Sequence, residues 1–131
     1  MSVLDGFKLY RDDKNSIFVS VTAYGMTFSK AAVEYLDYVP YVHVYFDEEH
    51  KRFAVSPSKK DNDARVFVKD KNASRAGFVR WNDKKLINCL LKIGELELGE
   101  NGIRVNGEYH NSEKVIIFDL NDYVPINGKN K

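Results

Sequence analysis

Most of this chain consists of short runs in which apolar and polar residues alternate, and this period of two constrains the fold more than any other feature. Ile17, Val19 and Val21 alternate with residues of the opposite face. Successive side chains of a strand point to opposite faces of a sheet, so this pattern predicts a strand. Residues 42–55 alternate on both sides of a polar turn, and residues 103–109 and 114–120 flank the polar turn at residues 110–113, so each of the two segments predicts a β-hairpin.

Further strands are shorter. We predict a strand at residues 7–10 that pairs with the first strand across the polar turn at residues 12–15. Short strands are also predicted at residues 65–68 and 78–80. Residues 115–118 are apolar on both faces, which predicts a central strand that is buried on both sides.

Two segments carry the signals of a helix start. Ser29 is a favourable N-cap, and Phe28 before it can pack as a hydrophobic staple. A helix is therefore predicted from Lys30 to Leu36, ending before Pro40, which cannot continue it.

The second helix start follows Trp81, which stands where Phe28 stands in the first. Either Asn82 or Asp83 is the predicted N-cap, and Gly94 suits the C-terminal end. Four residues at helical spacing form the predicted buried face: Leu86, Cys89, Leu90 and Ile93.

These elements predict one α+β domain over residues 1–131, with a mainly antiparallel sheet of about six to eight strands and two short helices. Residues 26–57 and 78–120 share the order strand end, aromatic residue, capped helix, hairpin. An internal duplication is one interpretation of this order. The other is that strand–helix–hairpin is a common arrangement.

The composition favours a cytoplasmic protein without a membrane segment. Cys89 is the only cysteine, which excludes an internal disulfide and fits a reducing compartment. No apolar run is long enough to span a bilayer. Asp5 and Lys8 interrupt the apolar residues of the first ten, so we expect no signal peptide.

No pattern typical of catalysis occurs. The three histidines, His43, His50 and His110, are dispersed, whereas a metal site requires clustered ligands. No phosphate-binding glycine motif is present, and the acidic residues at 47–49 and 61–63 lie in turns. We therefore expect no enzyme activity, catalytic residue, metal or cofactor.

The charge is unevenly distributed although its net value is only +1. Residues 51–92 contain twelve Lys or Arg and four Asp or Glu, a net charge of +8, between flanks of net −4 and −3. Such a layout is typical of a protein with an anionic partner. The alternative is that the acidic flanks neutralise the basic middle within the fold.

Seven cations with interleaved aromatic residues make residues 65–85 the predicted nucleic-acid-binding segment. The cations are Arg65, Lys69, Lys71, Arg75, Arg80, Lys84 and Lys85, and the aromatic residues are Phe67, Phe78 and Trp81. Cations neutralise phosphates, and aromatic rings stack on bases. The alternative places the aromatic rings in the core and the cations on a solvated face.

Residues 26–57 resemble the AbrB/MazE swapped-hairpin family. The matching positions are Lys30, Val33, Leu36, Val42, Val44, Asp47, Val55 and Pro57, whereas Ser29 and Pro40-Tyr41 differ from the family's usual residues. The resemblance implies a dimeric DNA-binding regulator in which Lys30 contributes to binding, and a single chain with two such halves would be a pseudo-dimer. The small size, Tyr content and basic middle also resemble accessory proteins of Gram-positive phages and mobile elements.

The leading hypothesis is a small, non-enzymatic nucleic-acid-binding or regulatory protein, with transcription regulation as its role. The alternative is a protein-binding adaptor or inhibitor that acts on a host protein. It would use exposed residues of the segment that follows the first helix start: Tyr35, Asp37, Tyr38 and Tyr41.

Overall fold

The computed structural model describes residues 16–69 and 79–126. These residues form eight strands and two α-helices. In chain order they are β1 (Phe18–Val21), β2 (Met26–Phe28), α1 (Lys30–Tyr35), β3 (Tyr41–Asp47), β4 (Arg52–Pro57), β5 (Arg65–Val66), β6 (Val79–Trp81), α2 (Lys84–Gly94), β7 (Ile103–His110) and β8 (Val115–Pro125). The predicted α+β class is confirmed. The predicted strand at residues 7–10 lies outside the described residues.

All eight strands belong to one antiparallel sheet, in the order β5-β3-β4-β8-β7-β1-β2-β6, that curls into a half-barrel. A side chain joins the terminal strands: the indole Nε1 of Trp81 on β6 donates a 2.9 Å hydrogen bond to the backbone carbonyl oxygen of Val66 on β5. The curl therefore encloses a core on its inner side.

The chain has two halves with the same element order: β1, β2, α1, β3 and β4 form the first, and β5, β6, α2, β7 and β8 form the second. Strands of one half pair with strands of the other: β1 with β7, β3 with β5, β2 with β6 and β4 with β8. The hairpin turns also match, since Lys51 and Lys114 both have a φ of 56° and each donates its N–H to a carbonyl three residues earlier. An internal duplication stays a prediction.

Both helices begin where the sequence predicts. The Ser29 hydroxyl accepts a 3.3 Å hydrogen bond from the N–H of Ala32, and the Asp83 carboxylate accepts one of 3.1 Å from the N–H of Leu86. Asp83, and not Asn82, is therefore the N-cap of α2.

An aromatic cluster fills the core. The ring of Phe28 lies 5.4 Å from that of Phe67, 4.9 Å from that of Trp81 and 5.8 Å from that of Phe118, measured between centroids. Phe118 also stacks on Phe53. Because Phe28 and Trp81 precede α1 and α2, this cluster ties both helix starts to the central strands.

Two predictions about burial are wrong. The strand of residues 115–118 is central, but Val115 and Ile117 on its outer face are only half-buried, whereas Ile116 and Phe118 on its inner face are buried. The buried face of α2 consists of Leu86, Ile87, Leu90 and Gly94. Cys89 is half-buried, because this face is rotated toward Ile87. Over the described residues, no helix is long and apolar enough to cross a membrane.

Candidate nucleic-acid interface

Arg65 is held within the fold. Its guanidinium Nη2 donates to the carboxylate of Asp83, and its Cζ lies 4.8 Å from the centre of the Trp81 ring. The Arg65 side chain is one-third exposed. This residue therefore joins β5 to the start of α2, and its charge is already matched by a carboxylate.

The pKa of Asp83 lies below its usual value, first because the N–H of Leu86 donates to the carboxylate and then because Arg65 does. The carboxylate consequently stays ionised, and the backbone N–H of Lys85 also donates to it. It does not form an ion pair with the neighbouring Lys84 or Lys85.

The aromatic residues of the predicted segment are in the core. Phe67 is 4% exposed and Trp81 is 8% exposed, so neither ring has a free face for a base. The core interpretation is confirmed for these two residues, while Phe78 lies outside the described residues.

Three of the predicted cations lie within six residues of the chain at the junction of β6 and α2, and we call them the junction cations: Arg80 at the middle of β6, with Lys84 and Lys85 in the first turn of α2. All three are exposed. Arg80 is oriented by two hydrogen bonds, from Nε to the side chain of Asn82 (2.9 Å) and from Nη1 to the hydroxyl of Thr27 (3.2 Å). Within residues 16–69 and 79–126, none of the three forms an ion pair.

The remaining predicted cations lie elsewhere. Lys30 is exposed at the first position of α1. Because β2 and β6 are antiparallel, Lys30 and Lys84 lie at opposite ends of that strand pair. Lys69 is exposed and follows Val68, which is paired with the backbone of Val39. Lys71 and Arg75 fall outside the described residues.

Sequence reasoning missed Arg104, which the sheet brings into line with Arg80. Thr27 is paired with Arg80, Ser20 with Thr27, and Arg104 with Ser20. We call these four residues the arginine–hydroxyl row. Each lies between two buried neighbours on its own strand, so all four side chains point to the outer face.

Tyr24 is the second residue that sequence reasoning missed. Its ring is 76% exposed in the turn between β1 and β2. The hydroxyl of Thr22 accepts hydrogen bonds from the N–H of Tyr24 (3.1 Å) and of Gly25 (3.2 Å). A Cβ on Gly25 would lie 2.8 Å from Nη2 of Arg80, so the turn packs directly against that guanidinium. The position of Tyr24 in a polar turn is the signal that could have identified it.

In the other clusters of charged residues, each acid is paired with a basic residue of the same cluster. Asp47 accepts hydrogen bonds from Arg52 and contacts His50, which together lower the pKa of Asp47 to about 2. The ring of His43 lies 3.0 Å from the Asp61 carboxylate and lowers its pKa. In the described part of the chain, no group of three His, Cys, Asp or Glu residues could hold a metal ion.

A surface cavity of about 320 Å³ lies on the outer side of β7 and β8. Its polar lining includes Glu108 and Asp122, and Asn106 donates a 3.0 Å hydrogen bond to Asp122. An acidic lining does not suit a phosphate, so this cavity is not part of the interface. Comparisons of the chain with models of protein families, with curated proteins and with solved structures gave no match.

Proposed function

We propose that this protein is a small, non-enzymatic nucleic-acid-binding regulator that contacts phosphates through the junction cations. The observation that carries the proposal is that Arg80, Lys84 and Lys85 are exposed within six residues of one another and form no ion pair with another described residue. The acid between them, Asp83, is already bound to Arg65 and to the N-terminus of α2. The cations therefore stay available to an external anion.

The first turn of α2 adds two lysines to this surface, Lys84 and Lys85, and no acidic residue. The helix dipole disfavours a cation at this end by about 0.3–1 kcal/mol. A phosphate bound by these side chains would offset this unfavourable placement.

The exchange of strands between the two halves supports a pseudo-dimer, which is the arrangement that the resemblance to swapped-hairpin regulators implies for one chain with two such halves. Ser29-Lys30 and Asp83-Lys84 occupy equivalent helix starts. Lys30 lies away from the junction cations, so the proposal gives it no contact with the same stretch of nucleic acid.

The test is fluorescence anisotropy with labelled DNA and RNA at several salt concentrations. Each phosphate contact contributes about 0.7–0.9 to the slope of log affinity against log salt. The variant Arg80→Gln/Lys84→Gln/Lys85→Gln should lower the slope by about 2 and strongly reduce binding at low salt. The matched control, Lys59→Gln/Lys60→Gln/Lys92→Gln, removes three exposed charges elsewhere and should bind like the unaltered protein. Absence of binding at low salt by the unaltered protein would overturn the proposal.

A protein-binding adaptor is the second candidate function, favoured by exposed aromatic side chains. Tyr45 is 55% exposed and Phe46 is 38% exposed on β3, and Tyr35 is 51% exposed with its ring 5.0 Å from that of Tyr109. Tyr38 is half-buried. An interface of this kind would bind a partner protein with little salt dependence. A pull-down from a host lysate in which the captured protein persists after nuclease treatment would favour this candidate.

A further inference from the structure

The arginine–hydroxyl row crosses four neighbouring strands in the order β6, β2, β1, β7. Neighbouring strands lie about 4.8 Å apart, so the backbones of Arg80 and Arg104 are separated by about 14 Å. Thr27 and Ser20 place two hydroxyl groups between them. A row of this length suits an extended polyanion that places several phosphates along it better than it suits a single phosphate ion.

Both guanidinium groups of the row are held in place before any ligand binds. Arg80 donates to Thr27 and Asn82, and it packs against the turn at Gly25. The Cζ of Arg104 lies over the aromatic ring of Phe18, 4.0 Å from the ring centre. An arginine held against a ring in this way keeps N–H groups that can donate to phosphate oxygens.

The surface around the row has a clear boundary. Asp122 lies beyond Asn106 on the side of β8, and Glu97 and Glu100 are exposed in the connection that leads into β7. These carboxylates would repel a phosphate. The favourable path therefore runs from Arg104 toward β6 and the start of α2, where the junction cations lie.

Tyr24 indicates whether the nucleic acid is single-stranded or double-stranded. Its exposed ring belongs to the turn between β1, which carries Ser20, and β2, and Gly25 of the same turn packs on Arg80. An exposed ring beside a phosphate path can stack on a base, but only an unpaired base has its face free. Given the proposed function, we infer that the partner is a single-stranded nucleic acid. Its backbone follows the arginine–hydroxyl row, and one of its bases stacks on Tyr24.

The experiment compares labelled single strands of DNA and RNA of about 15 nucleotides, a length near the upper end of common site sizes, with the duplex formed by the DNA strand. The single strands should bind more tightly than the duplex. Tyr24→Ala should weaken single-strand binding by about tenfold, while Tyr24→Phe, which keeps the ring, should retain it. Tyr45→Ala is the control, because Tyr45 is also an exposed tyrosine but lies on β3.

Arg104→Gln tests the far end of the row. It should reduce the salt slope for a single strand by about 0.7, the value for one phosphate contact. Lys92→Gln is its control, since it removes one exposed charge from the last turn of α2. Thermal unfolding of each variant checks that the fold is retained.

The outcomes separate this inference from the proposed function. If the unaltered protein binds, the junction-cation variant does not, and Tyr24→Ala and Arg104→Gln bind normally, the inference is overturned and the proposed function stands. Tighter binding of the duplex than of the single strand has the same meaning. If no nucleic acid binds at low salt, both are overturned.

Discussion

The starts of α1 and α2 occupy equivalent places in the two halves of the chain, but they are stabilised by different chemistry. At α1 the N-cap Ser29 is buried, and its hydroxyl accepts from the N–H groups of Ala32 and Phe18 and donates to the carbonyl oxygen of Ser16. At α2 the N-cap Asp83 accepts from Leu86 and from the side chain of Arg65. The start of α1 is thus stabilised by a network of uncharged groups, and the start of α2 is stabilised by an ion pair at the surface.

This difference determines which of the two helix starts has cations without a counter-charge nearby. The neutral network joins α1 to β1 through groups that do not titrate. The ion pair at α2 occupies Asp83, the only acid between Arg80 and Lys85, and leaves Arg80, Lys84 and Lys85 without a counter-charge among the described residues. The proposed interface thus depends on Arg65, which was predicted to bind phosphate directly but instead binds Asp83.

The largest expected effect compares the aromatic residues that precede the two helices. Phe28→Ala should destabilise the protein by about 3–5 kcal/mol, because Phe28 is fully buried at the centre of the aromatic cluster. Trp81→Phe keeps a ring and loses the hydrogen bond to Val66, which should cost about 1 kcal/mol. Urea unfolding followed by circular dichroism measures both. If both substitutions lowered the free energy of unfolding equally, Trp81 would contribute more than its hydrogen bond, and the deeper burial of Phe28 would not distinguish the two positions.

The next largest difference in stability is expected between substitutions of the two N-caps. Ser29→Ala should cost about 2 kcal/mol, because it leaves buried backbone groups without their partner. Asp83→Asn keeps a capping side chain and removes the charge opposite Arg65, so a loss of about 1 kcal/mol or less is expected from this partly exposed pair. Urea unfolding near neutral pH gives both values.

The effect of pH on stability also distinguishes the two N-caps. The pKa of Asp83 is lowered in the folded protein, so its contribution to stability is present above the ordinary value of 3.8 and is lost as the pH falls through the folded value. The difference between the unaltered protein and Asp83→Asn should therefore shrink as the pH falls below 3.8, while the effect of Ser29→Ala should not change. A gap for Asp83→Asn that persists in acid would contradict the ion-pair account.

The smallest effect concerns the lysine that follows each N-cap. Lys84→Glu should stabilise the protein by about 0.5 kcal/mol, since a carboxylate suits the positive end of a helix, and should raise Tm by about 2 °C. Lys30→Glu should have a smaller effect, because α1 has 6 residues and α2 has 11. Lys84→Glu should also weaken nucleic-acid binding. Calorimetry and anisotropy on the same samples test whether stability and binding oppose each other at this position.

Local patterns alone predicted the architecture well. The two N-cap positions, the hairpins of residues 42–55 and 103–120 and the central place of the last strand depend on neighbours within a few residues, and all are found in the structure. The core position of Phe118 follows from the apolar run of residues 115–118. Side-chain period and capping chemistry are local, so they can be read along the chain.

The candidate site depended on the tertiary structure. The charge of residues 51–92 indicated a basic surface, but linear proximity grouped Arg65 with Arg80 although Arg65 pairs with Asp83. It also separated Arg104 from Arg80, because Arg104 belongs to the acidic last third of the sequence. Strand register places Arg104 in one row with Arg80. Register is set by how the two halves exchange strands around the aromatic core, and no local pattern contains that information.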